Sequence, residues 1–159
     1  MSTFNPGGGY SVLFALFAGL QPRSILEIGL GCGRMPNGPG ESVGVWKDVW
    51  PRAKLHVGEF DQKCAARWAK SHPDVDVLGG DQGNANSLRS WASRGPFDFI
   101  VDDGSHLHSH ILLSLKTLWP HLAPGGVYFI EDLAAERMNK KYRDSFGMSA
   151  PRMLGSWLT

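Results

Sequence analysis

The chain has 159 residues, 42% of them apolar and 19% charged, with a formal net charge of +1. That is the make-up of one soluble globular domain, long enough to bury one sizeable core. The near-neutral balance and the scattered Lys and Arg offer no electrostatic case for nucleic acid or for an anionic membrane surface.

Two cysteines, Cys32 and Cys64, are too few for a disulfide framework, and neither sits in a CxxC pair. A reducing, cytoplasmic setting fits them best. At the N-terminus, residues 1–23 read as a Gly-rich loop followed by a helix. The apolar run YSVLFALFAGL (Tyr10–Leu20) is too short to cross a bilayer. No basic stretch precedes it and no small-residue cleavage site follows it, so a helix packed on a sheet is preferred to a signal peptide.

The core spans residues 24–133. SILEIGL reads as a buried strand ending in glycines, and SVGVWKDVW as a helix with Val45/Val49 and Trp46/Trp50 at i,i+4. Pro51 closes that helix. KLHVGEF is a second strand, and DQKCAARWAKSH a second helix with Asp61 as N-cap. VDVLGG, then ANSLRSWAS, give a third strand and helix. FDFIVDD, HILLSLKTLWPHL and GGVYFIEDL complete the alternation, with PGG at 124–126 as the turn into the fifth strand. Residues 134–159 read as a polar helix, AERMNKKYRDSF, and a short tail.

Strands alternating with helices imply parallel βαβ units, and so an open Rossmann-like sheet, doubly wound, with helices on both faces. In such sheets ligands bind beyond the carboxyl ends of the strands. EIGLGCG, GEFD, GDQGN, DDGSH and IEDL all fall at those ends. Every unusual polar cluster is therefore predicted on one edge of the sheet.

The turn EIGLGCG offers Glu27, Gly29, Gly31 and Gly33, where missing Cβ atoms let the chain turn sharply beside a ligand. It meets the dinucleotide fingerprint only in part, which argues against a nicotinamide-dependent oxidoreductase. Glu59, closing the second strand, can accept both hydroxyls of a ribose. Asp81 and Gln82 in GDQGN stand where an adenine amino group would lie. Asp102 reads as a buried strand-end carboxylate near the cofactor, without a metal role. His108 and His110 read as surface or capping residues, and His56, His72 and His121 as structural.

ILEIGLGCG, VGEFD, GDQGN, FDFIVDDGSH and LAPGGVYFIEDL together resemble class I S-adenosylmethionine-dependent methyltransferases. More narrowly, the chain is similar to the macrocin and mycinamicin sugar O-methyltransferases and to related fungal hard-surface-induced proteins, from about Ser24 to Leu133. The resemblance implies S-adenosyl-L-methionine as cofactor and a hydroxyl of a small secondary-metabolite or sugar-like molecule as methyl acceptor.

Strands four and five should be neighbours, which would bring Asp103, Glu131 and Asp132 toward one point. Carboxylates gathered this way repel unless a cation lies between them, and all-oxygen ligands favour Mg²⁺. The resemblance implies the same ligands, with His106 as general base. A metal-bound hydroxyl is more acidic, and a nearby histidine can take its proton near neutral pH.

The chain departs from the resemblance after IEDL, where no alternating pair of strands follows, so the last two strands of the usual sheet are expected to be missing. An exposed edge at strand five would invite pairing with a second copy, a homodimer. The same shortfall keeps a rival open, a degenerate domain that binds cofactor without turnover. The loop Arg34–Ser42 is a candidate cover for the cofactor.

Overall fold

Five short apolar runs form the strands: β1 (Ser24–Ile28), β2 (Lys54–Glu59), β3 (Val75–Gly79), β4 (Phe97–Asp102) and β5 (Leu122–Ile130). Between them lie α1 (Glu41–Val49), α2 (Gln62–Ser71), α3 (Ala85–Ala92) and α4 (His108–Leu118), with a 3₁₀ turn at Trp119–His121 and α5 at Ala150–Trp157. This computed structural model describes residues 19–33, 38–133, 135, 142 and 150–157. Residues 10–18 of the helix expected over Tyr10–Leu20, most of the polar helix expected near residues 135–146, and residues 34–37 of the expected covering loop lie outside the described residues.

All strand pairings are parallel, in the order β3-β2-β1-β4-β5. The order reverses between β1 and β4, the position at which doubly wound sheets open a crevice. Among the described residues the sheet has five strands.

Alternation along each strand sends its residues to opposite faces. Ile25, Val57, Phe99 and Val101 pack under α1 with Val43, Trp46 and Trp50. Trp46 and Trp50 stack at 5.7 Å and both meet Phe99 edge-on. Leu26, Ile28 and Ile100 pack on the other face against Leu88 and Trp91 of α3 and Leu118 of α4. Each large side chain buried this way contributes roughly 1.5–3 kcal/mol. Two helices are capped as their residues dictate. Asp61 accepts the Cys64 N–H at 2.9 Å, and Asn84 accepts the Asn86 N–H at 2.8 Å.

Three expectations need correction. The PGG segment lies inside β5, not before it, where the ladder with β4 shifts register between Phe97 and Phe99. Pro124 lacks an N–H, and an edge strand with an irregular ladder tolerates that. The terminal PRMLGSWLT segment, expected as a short tail, contributes to α5 as far as Trp157. Cys32 and Cys64 are joined in a disulfide, Cα to Cα 6.2 Å, so the expectation of a reducing setting loses its basis in the cysteines. The fold causes the bridge: β1 and β2 are neighbours, and the loop after one meets the first turn of the helix after the other.

Candidate functional site

A cleft of about 1160 Å³ opens at the carboxyl ends of β1, β2, β3 and β4. It takes in Gly29 and Gly31 from the first loop, Glu59 to Lys63 from the second, and Gly80 to Gln82 from the third. Asp103 to His106, with His110, complete it from the β4–α4 side. Four of the expected clusters therefore share one cavity, as strand order requires.

Gly29 shows why the glycine turn is needed. Its φ is +107°, and a Cβ there would stand 2.3 Å from the Asp103 carbonyl oxygen. The β1 and β4 loops can meet this closely only over a glycine. Gly31 and Gly33 also have positive φ, but Gly33 does not line the cleft.

Glu59 is 7% exposed. Its Oε2 accepts the Leu30 N–H at 3.0 Å and its Oε1 the Asp61 N–H at 2.8 Å. A carboxylate held by two amides from separate loops is pre-positioned, with lone pairs left to accept ligand hydroxyls. Asp81 is held similarly, its Oδ1 accepting the Gly83 N–H at 2.7 Å.

Gln82 lines the cleft, yet both ends of its amide are engaged. Its Nε2 donates to Asp102 Oδ1 at 2.6 Å and to Ser114 Oγ at 3.2 Å, while its Oε1 accepts the Ser105 N–H at 2.9 Å. Asp102 is a buried strand-end carboxylate, as expected, though it lies apart from the cleft lining. It is 1% exposed and anchors a buried network with Gln82, Ser114 and Tyr128. Burial pushes its pKa up against those hydrogen bonds. Its placement follows from the ladder, since the register that pairs Asp102 with Ile130 keeps it inside the sheet.

Glu27 is also removed from the cleft lining. It shares a face with Ile25, toward α1, and both carboxyl oxygens are buried without a regular hydrogen bond among the described residues. Burial raises its pKa to about 7, although the nearby Ser42 and Trp46 side chains favour the anion in part.

Asp103 has its pKa raised to about 8, by burial first and then by the charges of Glu131, Glu27, Asp132 and Asp102. The carboxylates after β4 and β5 are thus within electrostatic reach of one another. They do not, however, form the expected ligand set: among the described residues no three His, Cys, Asp or Glu side chains are grouped closely enough to hold a metal ion. Glu131 N–H continues the ladder to Asp102 O at 2.9 Å, and Asp132 then leaves the strand in a left-handed conformation, φ 50°.

His106 lines the cleft with its Nε2 3.8 Å from Asp103 Oδ1 and its ring edge-on to Tyr142 at 5.4 Å. Its φ is 57°; it and Asp132 are the non-glycine residues in that region among those described. Such backbone strain costs on the order of 1 kcal/mol or more and clusters at functional sites.

Sequence reasoning missed Ser105, His110, Ser114 and Tyr128. One signal was available: His110 and Ser114 are polar residues four apart in the helix, so they share a face. His56 is structural as expected, its Nδ1 3.0 Å from Asp76 Oδ2.

Residues 26–133 match the family described as a methyltransferase domain. The chain belongs to that family. This methyltransferase domain is 39% identical over 117 residues to the mycinamicin VI 2''-O-methyltransferase of Micromonospora griseorubida, covering 71% of this chain and 28% of that protein. It is 37% identical to the demethylmacrocin O-methyltransferase of Streptomyces fradiae, covering 69% of this chain and 27% of that one. Among solved structures it is similar to the MycE methyltransferase from the mycinamycin biosynthetic pathway in complex with Mg and SAH. The TM-score is 0.65 at 33% identity, over 84% of this chain and 35% of that chain. The methyltransferase domain thus spans under a third of the length of these curated relatives.

Proposed function

We propose that the domain binds S-adenosylmethionine and transfers its methyl group to a hydroxyl of a small secondary-metabolite or sugar-like acceptor. The observation that carries this reading is the shared cleft, with Glu59 and Asp81 at the ends of β2 and β3 and Asp103 and His106 at the end of β4. Glu59 accepts the ribose hydroxyls, and the glycine turn admits the rest of the nucleoside. His106 Nε2 takes the acceptor's proton as its oxygen attacks the methyl carbon. The carbon–sulfur bond breaks, and neutral S-adenosylhomocysteine leaves. Holding oxygen, carbon and sulfur in line is a large part of the rate gain.

Mg²⁺ belongs to the same reading. Asp103, Glu131 and Asp132 suit a hard, oxygen-seeking cation in donor chemistry and in accumulated negative charge, though their present spacing does not make a finished site. A bound Mg²⁺ would acidify the acceptor hydroxyl. Titration calorimetry with MgCl₂ on the wild type and on Asp103→Asn tests this apart from activity: heat in the first and none in the second supports it.

The spacing of the carboxylates also favours a second reading, cofactor binding without turnover. Radiolabelled methyl transfer across a panel of glycosides separates the two. Product formation that disappears in His106→Ala supports the enzyme, whereas tight S-adenosylhomocysteine binding without product favours the binding protein. The edge position of β5 supports pairing with a second copy, to be checked by sedimentation at increasing concentration.

A further inference from the structure

His110 stands in the first turn of α4 and lines the cleft with Asp81, Gln82 and Ser105. Its Nδ1 is 3.0 Å from Ser105 Oγ. The same Oγ accepts the Leu107 N–H at 3.3 Å and keeps its own proton available to donate to Nδ1. A neutral imidazole accepting at Nδ1 carries its hydrogen on Nε2.

The Nε2–Cε1 edge of the ring lies over Gly83. A Cβ at that glycine would stand 2.5 Å from Nε2 and 2.7 Å from Cε1, so only a residue without one admits the imidazole here. Gly83 N–H in turn donates to Asp81 Oδ1 at 2.7 Å. A carboxylate acceptor and an imidazole donor are therefore joined through one glycine at the same end of the cleft.

Adenine presents the complement, an exocyclic amino donor beside a ring-nitrogen acceptor. We propose that His110 reads the adenine base of the cofactor, its Nε2–H donating to the ring nitrogen next to the amino group that Asp81 accepts. This deepens the cofactor reading above and depends on it. Ser105 acts through His110 by holding the tautomer, and Gly83 by leaving room for the ring. A base carrying a carbonyl in place of the amino group would face Asp81 with the wrong charge.

The test is titration calorimetry with S-adenosylhomocysteine and its 1-deaza and 7-deaza analogues, each lacking one candidate ring nitrogen. The wild type should bind one analogue about tenfold more weakly than the parent, the equivalent of one hydrogen bond. His110→Ala should bind the parent about tenfold more weakly than the wild type does, and should treat the parent and that analogue alike. Gly83→Ala, which keeps the imidazole but displaces it, should repeat this pattern, with melting of the unliganded variants reporting their folding. Equal affinity of wild type and His110→Ala for the parent would overturn the assignment. So would a wild type indifferent to both analogues, or a variant that keeps the wild-type preference. If the wild type bound none of the three ligands, the cofactor reading itself would fall, a result distinct from any of these.

Discussion

Glu59, His106 and Glu27 are all ionisable, yet their surroundings give them different work. Glu59 is fixed by two backbone amides, so Glu59→Gln keeps the shape but loses the charge-assisted acceptor. Affinity for S-adenosylhomocysteine should drop by about one to two orders of magnitude by calorimetry. On the proposed mechanism, in which the ring takes the acceptor's proton, His106→Ala should lower kcat by about 10²–10⁴-fold with cofactor affinity nearly unchanged. Single-turnover assays beside calorimetry would separate the two effects. Glu27 affects stability. Its pKa is raised from 4.5 to about 7 in the folded state. The folded protein therefore keeps a proton that the unfolded chain releases over that window, and stability falls as pH climbs through it, by at most on the order of 3 kcal/mol. Thermal melting should give a higher Tm at pH 5 than at pH 8, and Glu27→Gln should flatten the difference. The slope that remains is the sum of Asp102 and Asp103, whose pKa values are raised in the same sense, and of His56, whose pKa is lowered by burial and which opposes them. Which of these residues face the cleft was only half legible in the sequence. Glu59, Asp81, Asp103 and His106 end strands or begin loops. Glu27 and Asp102 stand inside strands, where period-two alternation and the ladder decide their direction, and position within a motif does not.

At the scale of elements, the strands and helices were readable because every apolar run is bounded by Gly, Pro or a capping side chain, as at Asp61 and Asn84. PGG misled because glycine and proline usually mark turns, whereas an irregular edge strand can absorb them. The Cys32–Cys64 bridge could not be read at all. The cysteines are 32 residues apart, and only the adjacency of β1 and β2 brings them together. Trp68 Nε1–H adds a second tie across the same gap, donating to Pro39 O at 3.0 Å. By loop-closure entropy the bridge contributes about 3–4 kcal/mol. Cys32→Ser should therefore unfold at markedly lower denaturant than the oxidised wild type, and a dithiol reductant should bring the wild type down to the same midpoint. An unchanged midpoint would mean that the bridge adds nothing to stability.

At the scale of the whole molecule, the sheet order β3-β2-β1-β4-β5 gathers residues from the ends of separate strands into one cavity. That gathering was foreseeable, because parallel alternation fixes which end of each strand carries a loop. The spacing of Asp103, Glu131 and Asp132 was not, because strand order fixes which loops are neighbours and not where their side chains end. A ligand that binds only the folded state raises stability by about 2.7 kcal/mol at a hundred times its Kd. S-adenosylmethionine should accordingly raise the Tm by several degrees while NAD(H) leaves it in place. The reverse result would transfer the cleft to dinucleotide chemistry.

With the loops of one rim committed to the cleft, the opposite rim carries the returns from helix to strand, among them Trp50–Ala53 and His72–Asp74, and none of the residues assigned to the site. Asp74 there is exposed and pairs with Lys47 at 2.6 Å. A cysteine or dye introduced at Asp74, or a tether to a sensor chip, would leave the ligand side facing solution, which makes this surface a natural handle for measuring the domain one molecule at a time.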